Sequence, residues 1–227
     1  MAKKIPPCPD PKRYIWVETK EGGFWRLRRG LDKPAERNNA VKNSGILNGR
    51  SSKAASRIVR TLRPYLRGLE MGRVTIRVNV ALKKGMTYED PFDFGRLRGF
   101  DMQPLHPFDQ GVLPNITIQQ SDKEPLVGLP IANYTVVRLS PLVTDFYFEM
   151  VLVYGDLNKE EPLLVDAVES QTYESEKEYE GGCQLRIMLP RKPWVALLKL
   201  NSIEGNTPAA ASRHYRMKVV AAGNPTN

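Results

Sequence analysis

Basic and aliphatic residues sort onto opposite sides of a helix between Arg50 and Arg67. Arg50, Lys53, Arg57, Arg60, Arg63 and Arg67 recur at spacings of three and four, which lines their side chains along one side. Ala54, Ala55, Ile58, Val59, Leu62 and Leu66 fall on the other. The pattern predicts a helix from about Ser51 that buries its aliphatic side, presents a basic stripe, and ends or kinks at Pro64. Upstream, Asp32-Lys33-Pro34 makes a helix start, since proline is tolerated in a first turn, and that helix is expected to run to about Leu47. Asn48-Gly49 reads as the break between the two. Residues 72–85 fit two periods. Val74, Ile76, Val78 and Val80 alternate as a strand would, while Val74, Val78, Ala81 and Leu82 fit a helix. The helix-like length between Gly72 and Gly85 favours the helix, against its β-branched content.

From Gly99 the pattern changes to short β runs separated by Pro, Gly and Asn. Candidate strands are Gly99–Met102, Asn115–Gln119, Tyr134–Leu139, Asp145–Tyr154, Leu163–Val168, Cys183–Leu189, Trp194–Asn201 and Tyr215–Ala221. Their length and spacing predict a β-sandwich-like domain. The last strand is expected inside a sheet, because Met217, Val219 and Ala221 alternate with Lys218 and Val220. At the other end, Pro6, Pro7, Pro9 and Pro11 keep an arm extended, either a frayed terminus or a strap lying on a neighbour. A β-hairpin follows: Tyr14-Ile15-Trp16-Val17, turn residues Lys20-Glu21-Gly22-Gly23, then Phe24-Trp25-Arg26-Leu27-Arg28. The expected fold is α+β. A hairpin arm (1–30) and a basic helical region (31–98) precede an antiparallel β-sandwich-like domain (99–227).

With 41% hydrophobic and 26% charged residues the mix is that of an ordinary globular protein, so a packed core is expected without disulfides or metals. The only cysteines, Cys8 and Cys183, make no disulfide framework, and with His106 and His214 they offer no zinc spacing. The phosphate-binding glycine loops, Gly-x-Ser-x-Gly and His-Glu-x-x-His are absent from the sequence. Asp90 and Asp93 lack the spacing of a calcium loop and read as a polar turn. The expectation is a non-enzymatic protein with no cofactor, no metal and no catalytic residue. The N-terminal lysines precede no apolar stretch of signal-peptide type, and no run approaches the ~18 apolar residues of a membrane span. That reading is cytoplasmic and membrane-free, with release only by lysis or by an unrecognised route.

Charge sharpens the picture. Residues 1–100 hold 23 basic and 9 acidic residues, a net of +14, against a whole-chain net of +9. Residues 156–180 hold nine acids and only Lys159 and Lys177. In that stretch Glu174, Glu176, Glu178 and Glu180 alternate, so the segment is either an extended backbone with the four in one row or a solvated loop. The asymmetry has three readings: the basic half binds nucleic acid, it binds the acidic segment of another copy, or the two signs neutralise each other within one molecule.

Gly22-Gly23-Phe24-Trp25-Arg26, Asn43 through Ser56 with Ser51-Ser52-Lys53-Ala54-Ala55, Gly99-Phe100-Asp101 and Lys218-Val219-Val220-Ala221 follow one another along the chain. In that order of features the chain resembles a family of small uncharacterised proteins encoded in Bacteroidota genomes. The resemblance implies a helical N-terminal part followed by a β domain. It carries no activity and no functional residue.

The expected function is a self-assembling subunit of a filament, tube or phage-like particle, joined head to tail by unlike patches. The basic patch comprises Arg26, Arg28 and Arg29 with the stripe Arg50 to Arg67, and the acidic patch is the row Glu174 to Glu180. Trp16, Phe24 and Trp25 supply aromatic anchors. The alternative is sequence-independent binding of nucleic acid by the helix 50–67.

Overall fold

The computed structural model describes residues 5–19, 22–27, 39–70, 72–116, 119–120, 126–136, 140–175 and 183–224. The chain divides into two compact units, Met1–Ser44 and Gly45–Asn227.

In the first unit, β1 (Tyr14–Thr19) and β2 (Gly22–Leu27) pair as an antiparallel hairpin in the expected place. The register sets Trp16 directly opposite Trp25, and the rings meet edge to face with centroids 5.3 Å apart. Trp25 Nε1–H donates to the Pro6 carbonyl at 3.0 Å, which ties the proline-rich segment to its own hairpin. Among the residues of this unit whose side chains are described, none is buried.

Helix α1 (Asn39–Leu62) runs unbroken through Asn48-Gly49, so the expected break there is not found. The contacts of the flanking side chains hold it. The Lys83 ammonium donates to Asn48 Oδ1, Ser51 Oγ–H donates to the Asn48 carbonyl at 3.2 Å, and Arg50 reaches the carbonyls of Tyr88 and Asp90. Together they offset the ~1 kcal/mol by which a glycine weakens a helix interior. The expected start at Asp32 to Pro34 lies outside the described residues. The helix ends at Leu62, and Pro64 sits in the 3-10 turn Arg63–Leu66 that follows.

Residues Val74–Lys83 form helix α2. Val74, Val78 and Leu82 are buried at helical spacing, whereas Ile76 and Val80 are 56% and 53% exposed. A strand would have put 74, 76, 78 and 80 on one side, so the four-residue period decided the element. The one-turn helix α3 (Phe108–Gly111) leads into the β region.

Two antiparallel sheets follow. The smaller joins β3 (Val112–Ile116) and β4 (Gln119–Gln120) to one side of β5 (Leu126–Val136), and β9 (Cys183–Met188) to the other. The larger is built on β6 (Asp145–Tyr154) and β10 (Trp194–Glu204). β7 (Leu164–Glu169) and β8 (Tyr173–Glu174) pair with β6, while β11 (Thr207–Pro208) and β12 (Arg216–Gly223) pair with β10. The expected strand Gly99–Met102 is an extended segment with a single bridge, Asp101 to Lys218. Its backbone still bonds Val219 and Met217, so it covers the outer edge of β12 and the last strand lies inside, as its alternation required.

Both faces of the larger sheet are covered. Val151, Val153, Val195, Leu197, Met217 and Val219 share a core with Ala54, Ile58 and Leu62 of α1 and Val78 and Leu82 of α2. The neighbouring positions Phe146, Phe148, Met150, Leu152, Ala196 and Leu198 share a second core with Leu185 and Ile187 of β9. Strands buried on both sides read as continuous apolar runs, which is why β6 and β10 show little alternation. Each fully buried Leu or Phe stabilises the fold by about 1.5–3 kcal/mol.

Candidate functional site

The basic stripe lies along the surface of α1, and the turn joining β6 to β7 folds against it. Between them is a cleft of about 630 Å³ whose charged lining is Arg50, Lys53, Arg57, Arg60, Lys159 and Glu160. Five cations and one carboxylate make it a place for anionic groups.

The stripe is nevertheless two sets of side chains. Arg50 and Arg57 turn inward. Arg57 donates to the carbonyls of Asp156 at 3.2 Å and Leu157 at 3.5 Å and to those of Lys159 and Glu161, so one planar fork gathers four acceptors of one turn. Arg50 holds the carbonyls of Tyr88 and Asp90 while its guanidinium lies 5.1 Å above the Phe92 ring. Asn158 completes the joint by accepting from Phe92 N–H at 2.8 Å and donating to its carbonyl at 3.1 Å. These contacts fasten the helix to its own β domain.

Lys53, Arg60, Arg63 and Arg67 stay exposed. Lys53 meets Glu160 at 3.0 Å with both side chains largely in solvent, and the pair holds the Glu160 carboxyl below its usual range. An ion pair so exposed contributes little to stability. Here the basic half and the start of the acidic stretch meet within one chain. The rest of the acidic row is not comparable: Glu174 pairs in register with Asp145, and Glu176, Glu178 and Glu180 lie outside the described residues. Arg26 and Phe24 are exposed on β2, Trp16 and Trp25 are half-buried against each other, and Arg28 and Arg29 lie outside the described residues.

Among the described residues no three of His, Cys, Asp and Glu gather as metal ligands, and no helix is long and apolar enough to cross a membrane. One buried polar group escaped the sequence reading. Lys199, Glu149 and Asn201 are all buried. There Glu149 lies within the expected strand Asp145–Tyr154 and Lys199 within Trp194–Asn201, neither singled out. The usable signal was one charge of opposite sign in the interior of each of two largely apolar strands, Glu149 in β6 and Lys199 in β10. Comparison with family models, curated proteins and solved structures finds no match.

Proposed function

We propose that the protein is a non-enzymatic subunit that assembles with copies of itself, through its hairpin unit and the exposed cations of α1. One observation carries the reading. The unit Met1–Ser44 holds Trp16, Phe24, Trp25 and Ile5, none of them buried, and Phe24 and Ile5 are more than half exposed. A two-stranded hairpin is marginal by itself in water, and exposed aromatic surface of this kind gains most by being covered. Tryptophan beside arginine is the usual composition of an interface anchor, and Arg26 lies next to Trp25. In sequence, Glu174, Glu176, Glu178 and Glu180 give each copy a run of opposite sign to these cations, which favours head-to-tail contacts.

The test is sedimentation velocity with negative-stain microscopy on the full chain and on Trp16→Ala/Trp25→Ala. Regular assemblies are expected from the first and folded monomers from the second, since the cores of unit Gly45–Asn227 contain neither tryptophan. A wild type that stays monomeric at every concentration overturns the reading, as does a variant that assembles unchanged.

The second reading, sequence-independent binding of nucleic acid along the basic stripe 50–67, draws on the exposed Arg60 of α1 and on Arg63 and Arg67 in and after the turn that follows it. Its mark is an affinity that falls steeply with salt.

A further inference from the structure

The helix-facing side of the larger sheet changes character along its strands. Val151 and Leu197 are paired across β6 and β10, the next pair on that face is Glu149 with Lys199, and the next is Tyr147 with Asn201. Apolar core thus gives way to a polar patch at the end of the sheet. A cleft of about 520 Å³ opens over it, bounded by the 3-10 turn after α1 and by the chain around β11.

Lys199 is 4% exposed and lines this cleft. Its ammonium stands 3.7 Å from Glu149 Oε2, longer than the ~2.8 Å of a charge-assisted hydrogen bond. Asn201 Nδ2 donates to that same oxygen at 3.1 Å. The Tyr215 ring lies 5.9 Å from the ammonium. That ring is fixed by its hydroxyl, which donates to the Ala209 carbonyl at 2.7 Å, and by Gly68, whose φ of +82° and missing Cβ leave the ring its space. Burial lowers the Lys199 pKa and raises those of Tyr147 and Tyr215, so both phenols stay neutral donors.

Arg67 and Lys199 are the charged residues of the lining, and no carboxylate is among them. Glu149 and, beside it in register on β7, Glu169 act on Lys199 from outside the lining, so the cations that face the cleft are the Lys199 ammonium and the exposed Arg67. Pro64, Ile203, Pro208 and Ala209 add apolar wall. A few polar groups converging in a largely apolar cleft of this size are the marks of a small-molecule site.

We propose that this cleft binds a small organic monoanion, a carboxylate carried on a ring or short aliphatic body, with the buried Lys199 ammonium and the exposed Arg67 as its charged contacts. A single carboxylate suits a lining with two cations and no carboxylate, and the two tyrosine rings and the apolar wall take the body. The inference stands apart from self-assembly, because every residue of the cleft belongs to unit Gly45–Asn227.

Isothermal titration of the full chain with phenylacetate and hexanoate, against phenylacetamide as the uncharged control, tests it. Both carboxylates are expected to bind and the amide is not. Lys199→Met with Glu149→Gln removes the cation without orphaning its partner, and is expected to weaken phenylacetate at least tenfold. Arg67 is exposed, so Arg67→Gln folds whatever the double variant does, and a loss of about threefold is expected of it. The proposal is overturned if neither carboxylate binds the wild type, if the amide binds as well as the acid, or if the folded variants bind like wild type.

Discussion

Arg57 gathers four carbonyl oxygens of the 156–161 turn on one guanidinium, while Arg60, one turn further along the same stripe, is exposed. Identical side chains at helical spacing therefore have different work. Hydrogen bonds to a charged donor are each worth about 1.5–3 kcal/mol, and partial access of water to this turn reduces the sum. Arg57→Ala is expected to lower stability by about 2 kcal/mol, read as a fall in urea midpoint at constant slope. Arg57→Lys recovers less than half, because an ammonium does not span the fork. Arg60→Ala is expected to stay within about 0.5 kcal/mol of wild type. Equal effects at 57 and 60 would remove the distinction. The sequence showed that both are basic and share a side. Which one is fixed depends on a turn about a hundred residues away, and no local pattern encodes that.

Helix α1 is where local propensity and tertiary contact disagree. Asn48-Gly49 is breaker chemistry, yet the helix continues through it because Asn48 and Arg50 are each held by a distant segment. Gly49 has no positive φ and would place a Cβ in open space. Gly49→Ala is accordingly expected to stabilise the protein by about 0.5–1 kcal/mol in thermal or urea unfolding. A helix broken at this dipeptide would give the opposite sign, since a break of that kind relies on glycine's backbone freedom. The hairpin and the strands β6, β7, β9, β10 and β12 were legible from period and turn residues, within a few residues at their ends, whereas helix and strand periods both fitted α2 and the sequence did not decide between them. The strand expected at 99–102 had the right neighbour but forms no ladder of its own, because the 3-10 turn Phe94–Leu97 delivers it beside β12 for a few residues only.

Charge asymmetry acts at the scale of the whole molecule, and the fold sorts which charges are available for it. Arg57 is a poor site for reversal, since a glutamate there would repel the carbonyls it should hold. Arg60→Glu with Arg63→Glu reverses exposed cations alone. In sedimentation velocity this variant is expected to remain folded and to assemble less than wild type, and wild-type assembly is expected to weaken as salt shortens the Debye length from about 10 Å to about 3 Å. Assembly unchanged in both experiments would remove the electrostatic part of the proposal and leave the tryptophan hairpin as the anchor. The sequence by itself determined the α+β class, the helix periods, the two-faced stripe and the unequal charge of the two halves. These are properties of spacing and composition, read within a few turns of chain. Only the tertiary structure decided that β6 and β10 are covered on both faces, that part of the stripe is spent on the molecule's own turn, and that Glu149 and Lys199 meet under a cleft. Glu149 and Lys199 are fifty positions apart and Arg57 is about a hundred from its turn, and burial and electrostatics between such residues exist only once the fold has set them side by side.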